Sequence, residues 1–421
     1  MKFSSYPTLY LSLILLSLFS GCVKQPTQAV TESCPPANNY HWWRHHEPFL
    51  LLISQNGKWG FIDETGKIAI QPQFEKVKSF TNGRAAFQRN GKWGFIDKKG
   101  QVAIEPQFDW VGYFYEERAA VVQQGKWGFI DTNGRFIVEP KFDRVQRFFD
   151  GRAAVKKENA WGFIDENGKL ITQIEFSDVG GFREGLAAFS SGEKHGFVNR
   201  KGQVVIELDY DVHVDFFAHV GFKNGRAGVY VSTPWSRLLK QIITGRHQKL
   251  WGFIDQEGKK VTPLKYDNVN FFSECLAAVG VRNKNGRMKY GLIDTSGKTI
   301  LKPKFDRIHP FSEGLAVVEE GIPLTAEKHK YGFINNRGEL AIEFKFDDAF
   351  EFSNGMATVK IGDKWGYIDR TGKMVIEPRF SFTQNFSKEG IARVEMGTKR
   401  GYIDRAGNFI WQSAESLEEI Q

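Results

Sequence analysis

Along residues 118–142, apolar positions gather in three short runs separated by glycine-bearing breaks. Arg118-Ala119-Ala120-Val121-Val122 is small and β-branched, Lys126 to Asp131 is aromatic and β-branched, and Arg135 to Phe142 carries Pro140 near its end. Gln124-Gly125 and Thr132-Asn133-Gly134 are the breaks. Short runs rich in small, β-branched and aromatic residues, joined by such turns, predict tight antiparallel hairpins. Side chains on a strand point alternately to its two faces, so Trp127 and Phe129 share one face and Ile130 takes the other. Both faces are apolar, and both call for cover. On this reading Trp127 is a core residue, whose truncation to alanine costs about 3–5 kcal/mol.

The same pattern restarts at Trp59, Trp93, Trp127, Trp161, His195, Trp251, Tyr290, Tyr331, Trp365 and Arg400, and the first four steps are 34 residues each. A fixed period of this size marks a repeat array in which each unit buries its faces against its neighbours. A helical repeat is excluded, because glycine recurs within every unit and no i, i+3, i+4 apolar pattern persists. The expectation is an all-β tandem array of about ten three-stranded antiparallel units over residues 49–411. We expect an open solenoid or superhelix, with closure into a propeller-like ring as the alternative. The segment Phe142 to Phe148 is expected to pack the link between units.

The Lys-Trp-Gly-Phe-Ile-Asp-x-x-Gly core, the Ile-x-Pro-x-Phe-Asp segment and the Phe-x-x-Gly-x-Ala-x-Val closure recur in order along the chain. Together they resemble the bacterial WG-repeat family over roughly residues 49–411. The resemblance implies an all-β array, found in exported or surface proteins, with no established catalytic activity.

The acids at the motif, Asp63, Asp97, Asp131, Asp165, Asp255, Asp294, Asp369 and Asp404, precede a glycine by three positions. An aspartate there hydrogen-bonds the turn backbone. Asn199 and Asn335 take the same place in two units. Asparagine makes the same turn but is no acid, which favours a structural role throughout. No Gly-x-Ser-x-Gly, His-Glu-x-x-His or phosphate-cradling Gly-x-x-x-x-Gly-Lys sequence occurs. No catalytic residue, metal or cofactor is therefore assigned. The 421 residues carry a formal charge of +8. That permits an acidic partner without demanding one, and no dense Lys/Arg run suggests nucleic acid.

Residues 1–21 read as a lipoprotein signal peptide: Lys2, then the apolar stretch Leu9 to Phe19, which is shorter than the ~20 residues of a spanning helix. Leu18-Phe19-Ser20-Gly21-Cys22 resembles a bacterial lipobox, which would make Cys22 the lipidated first residue of the mature protein. By the same resemblance, Val23-Lys24 favours an outer-membrane address. Residues 22–48 form a polar, proline-bearing tether, and 412–421 a C-terminal tail. His41, His45 and His46 lie close together in the tether, without the ligand spacing of a metal site. The remaining cysteines, Cys34 and Cys275, are expected to stay unpaired, with Cys275 as a small buried residue in a position where other units have glycine.

Three units carry extra residues, at 232–249, 281–289 and 319–330. All three lie between the first and second of the predicted strands. Equivalent loops of an array emerge on one face, often the binding face. The candidate binding residues are Trp235, Arg237, Lys240, Arg282, Lys284, Arg287, Lys328 and Lys330. Within 232–249, Thr233 and Pro234 start a short amphipathic helix that Gly245 stops. A lysine precedes the motif at Lys58, Lys92, Lys126, Lys194, Lys289, Lys330, Lys364 and Lys399. It forms either a basic row for an acidic polymer or a solubility and edge-protection device. The expected function is a non-catalytic envelope lipoprotein, held at the membrane by its lipid, that binds a protein or envelope polymer. The alternative is an envelope hydrolase with a site around 209–249, where His213, Asp215 and His219 cluster.

Overall fold

The computed structural model describes residues 50–192, 194–208, 221–232, 249–321 and 329–413. These form ten small antiparallel sheets, and no helix occurs among the described residues. The second sheet shows the unit plan: strands Lys76–Val77, Ala85–Arg89, Lys92–Ile96 and Val102–Phe108 pair in chain order. Most units therefore have four strands, not the expected three. The segment expected to link units supplies the extra one: after Phe142, Arg144–Val145 pairs with Ala153–Lys157 and opens the next sheet.

The glycine of Trp-Gly has a geometric cause. Where the third strand meets the fourth, the register slips, as between Trp127 and Phe129. The backbones close up there, and a Cβ on Gly128 would lie 2.4 Å from the Val138 carbonyl oxygen. The same approach recurs at Gly94 and Gly366. No side chain fits at that point in the motif.

Each hydrophobic cluster is shared between adjacent sheets. Phe129, Val138 and Phe142 of the third sheet pack with Phe148, Ala153, Val155 and Ile164 of the fourth. On the other side, Ile130 packs with Phe95, Ile104 and Phe108 of the second sheet. Phe129 thus faces the following unit and Ile130 the preceding one, so both faces of the third strand are covered as the sequence suggests. Trp127 departs from that expectation: it is only partly buried, whereas Phe129 and Ile130 are fully enclosed. The tryptophan is the second residue of the strand Lys126–Asp131, beside the hairpin.

Neighbour packing also decides between the open array and the ring. The Asp-x-x-Gly glycine of each unit abuts the fourth-strand segment of the unit before it: Gly100 meets Ile70, Gly134 meets Ile104, Gly258 meets Ile206, Gly372 meets Ile342 and Gly407 meets Ile376. In the first unit, Gly66 meets Ile410 of the last. Around that contact, Leu51, Ile53 and Ile62 pack with Ile391, and with Tyr402, Ile410 and Trp411. The Tyr402 hydroxyl donates to the Leu52 carbonyl at 2.8 Å, and the Arg400 guanidinium donates to Ser54 and lies over the Trp59 ring. The first and last units thus repeat the contact made at every internal junction, and the array closes on itself. The expectation of an open form is corrected in favour of the ring. Closure removes the two apolar end faces that an open array would have to cap.

Candidate binding surface

Strand direction sorts the connections onto two rims. The connection from first to second strand and the Asp-x-x-Gly turn leave on one rim. The second-to-third hairpin and the Phe-Asp link leave on the other. The expected insertions follow the strands Arg226–Ser232, Leu276–Arg282 and Leu315–Glu320, each paired antiparallel with the motif strand that comes next. The ends of these three strands lie on one rim. Of the candidate residues, Arg282, Lys284, Arg287 and Lys330 sit there. Trp235, Arg237, Lys240 and Lys328 lie outside the described residues, as do the 234–245 helix, His213, Asp215 and His219, the histidines of the tether, and Cys22.

The lysine row is on the same rim, and much of it is spent within the fold. Lys126 Nζ lies 2.6 Å from Asp143, whose other oxygen accepts the Glu158 N–H at 2.5 Å. Lys289 pairs with Asp306 at 2.7 Å, Lys330 with Asp347 at 2.9 Å and Lys58 with Glu75 at 3.3 Å, and Lys92 pairs with Asp109. The acid of the Phe-Asp link ties its own hairpin to the next unit. The Lys92 ammonium accordingly holds Asp109 below the ordinary aspartate range, and Lys126 does the same for Asp143. At Lys364 the link residue is Ser381, so the carboxylate is missing there. Arg282 is also engaged, its backbone N–H donating to Asp267 at 2.7 Å and its guanidinium to the Gly286 carbonyl at 3.1 Å.

The motif acids do the turn work expected of them. Asp131 Oδ1 accepts the Asn133 and Arg135 N–H groups, both at 2.9 Å. Asn199 and Asn335 accept the equivalent pairs at 2.9 and 3.1 Å. On the same rim a second ladder runs between units: Glu116 accepts the N–H groups of Asp150 and Gly151, and Glu313 those of Asn354 and Gly355. Among the described residues no three His, Cys, Asp or Glu side chains converge as metal ligands would. Cys275 corrects another expectation. It is disulfide-bonded, and it is partly rather than fully buried, in a turn where its φ is +63°.

Sequence reasoning missed one surface. The opening strand of the third sheet, Trp110–Tyr115, has six residues where its counterparts have two. A register shift between Val111 and Phe114 turns Tyr113 outward, as bulges do. Val111 and Phe114 fill the usual core places, while Trp110 and Tyr113 remain 41% and 39% exposed. With Tyr115 and Trp127 they border a cleft of about 240 Å³ that also meets Lys78, Arg118 and Arg147. The Trp110 and Trp127 rings are 5.0 Å apart. Lys78 Nζ lies 4.7 Å from the centre of Trp110 and 5.5 Å from Tyr113, and donates to the Val111 carbonyl at 2.7 Å. Arg147 lies 4.7 Å over Tyr115. No carboxylate lines the cleft. Burial lowers the Lys78 pKa and raises that of Tyr113. The readable signal was the run Asp109-Trp110-Val111-Gly112-Tyr113-Phe114-Tyr115, which gathers in one unit aromatic residues at three positions that are mostly polar in the others.

The WG containing repeat family model matches nine consecutive stretches, 59–93, 93–127, 127–159, 161–194, 196–231, 251–284, 290–321, 331–365 and 365–399. A search of curated protein sequences finds no match. Among solved structures, the chain is similar to one described as the crystal structure of the eukaryotic initiation factor. The TM-score is 0.54 at 11% identity, over 88% of this chain and 96% of that one. It also matches the tricorn protease, at TM-score 0.33 and 12% identity over 87% of this chain and 44% of that one. A third match is Hsv2p of Kluyveromyces lactis, at TM-score 0.32 and 14% identity over 69% and 92%. The first likeness bears on fold alone, and the other two carry no argument.

Proposed function

The chain belongs to the WG containing repeat family, and on that footing we propose that it is a non-catalytic scaffold of the bacterial cell envelope. It is exported, lipidated at Cys22 and anchored in the outer membrane, and it binds a protein or envelope polymer through the rim that carries 232–249, 281–289 and 319–330. The observation that carries this reading is the common origin of those three connections: each leaves the strand that pairs with the following motif strand, at the same end of the hairpin. A surface built from equivalent positions of successive units suits an extended ligand. The recurring acids support a binding role, because their oxygens are occupied by turn and link N–H groups or by lysines. The disulfide at Cys275 supports export, since such bonds persist in oxidising compartments.

The test is affinity capture from envelope extract with the intact protein and with a version whose three long connections are cut to Gly-Lys turns. The intact protein retains a partner that the trimmed, folded protein loses. Retention of every partner by the trimmed form overturns the assignment of the rim.

A further inference from the structure

We propose that the cleft between Trp110, Tyr113 and Trp127 is a subsite for one acidic sugar residue of an envelope polysaccharide, an inference that rests on the polymer-binding reading above. The repeat itself does not need this cleft. Its core positions are filled by Val111 and Phe114, while the lengthened strand adds Trp110, Tyr113 and Tyr115 and leaves the first two of these exposed. A large exposed aromatic ring is costly to leave in water, and a cluster of them marks a binding site.

Charge and size define the occupant. Flat aromatic faces pack against the C–H faces of a pyranose ring, whose hydroxyls stay at the polar edge. Lys78, Arg118 and Arg147 meet the cleft and no carboxylate does, so the favoured ring carries a negative group. Lys78 is held among Trp93, Trp110 and Tyr113 at 4.9, 4.7 and 5.5 Å, which fixes its ammonium at the aromatic wall. A volume of about 240 Å³ is below that of a drug-sized pocket and suits one residue of a chain. Single-stranded nucleic acid is the less favoured occupant. It needs a cationic groove that follows its backbone over several nucleotides, and many lysines of the neighbouring rim are already paired with acids.

The experiment is calorimetric titration of the full chain with an oligogalacturonate, a neutral galactose oligomer and an oligothymidylate. The variants are Trp110→Ala, Tyr113→Ala and Lys78→Met, with Phe350→Ala, at the stacked Phe350–Trp365 pair of another sheet, as control. The oligogalacturonate is expected to bind, and to bind more weakly as salt rises. Its affinity should fall about tenfold on loss of either aromatic platform and fall again in Lys78→Met, with Phe350→Ala unchanged. Circular dichroism and urea midpoints establish that the variants fold; Lys78→Met and Tyr113→Ala decide the matter should Trp110→Ala not. Equal binding of the neutral oligomer, tighter binding of the oligothymidylate, no binding of the acidic oligomer, or an unaffected Trp110→Ala each overturns the proposal. If the acidic oligomer does not bind while envelope capture still retains a polymer, the cleft assignment falls and the scaffold reading stands.

Discussion

Replacing Gly66 by alanine tests closure of the array at a single atom. Gly66 has φ +85°, so any L-residue there carries left-handed strain of about 1–2 kcal/mol. Its Cβ would also lie 2.3 Å from the Ile410 carbonyl oxygen and 2.9 Å from Ile410 Cγ2, and such overpacking costs about 1–3 kcal/mol more. Gly185 separates the two effects: its φ is +83°, and nothing lies within 4 Å of a Cβ built there. Gly185→Ala therefore reports strain alone, and Gly66→Ala reports strain plus the contact between the two ends of the chain. Urea unfolding followed by tryptophan fluorescence should place Gly66→Ala at least about 1 kcal/mol below Gly185→Ala. Amide exchange adds a spatial readout, because loosening should reach the strand Phe409–Gln412 as well as the first sheet. Equal stabilities for the two variants, with exchange in Phe409–Gln412 unchanged, would refute the closed array.

Phe129→Ala should cost about 3–5 kcal/mol, because the ring is 1% exposed and packs 4.7 Å from Phe148, while the half-buried Trp127→Ala should cost clearly less; equal losses in thermal unfolding would contradict the core assignment. Burial beside Phe271 and the nearby Arg183 lower the Lys223 pKa to about 8 from its ordinary 10.5. Between those values the unfolded chain holds a proton that the folded chain has released, so stability rises with pH across about 8 to 10.5. Lys223→Met should therefore exceed the native protein in stability at pH 7 by a margin that shrinks through that window, and a margin constant with pH would rule the effect out. Cys275 should resist alkylation in the unfolded, unreduced protein and react after reduction, as peptide mass analysis would read; alkylation without reductant would show a free thiol.

The unit was legible because its constraints are local. The turn work of Asp131 and Asn199, and the opposite facing of Phe129 and Ile130, follow from strand alternation and turn chemistry that sequence displays directly. The fourth strand was harder to see. Two residues such as Arg144–Val145 are too few to show a period, and they belong to the sheet that follows them. Closure was illegible for another reason: Gly66 and Ile410 look like every other glycine and isoleucine of the repeat, and only the summed rotation of ten units brings them together. Trp127 misled because the motif's most prominent residue stands near a strand end, where it is only partly buried. The aromatic cleft needed the bulge at Val111–Phe114 to become visible, since strict alternation would turn Tyr113 the other way.

Whether this chain holds an envelope ligand without altering it is read by incubating the purified full chain with isolated envelope polymers. Polymer that sediments with the protein and polymer chain ends are both measured over time. Polymer should be retained in a saturable manner, while its length distribution and its number of chain ends stay constant. Accumulation of new chain ends, lost in His213→Ala, would rule out a purely binding role and make the protein a hydrolase.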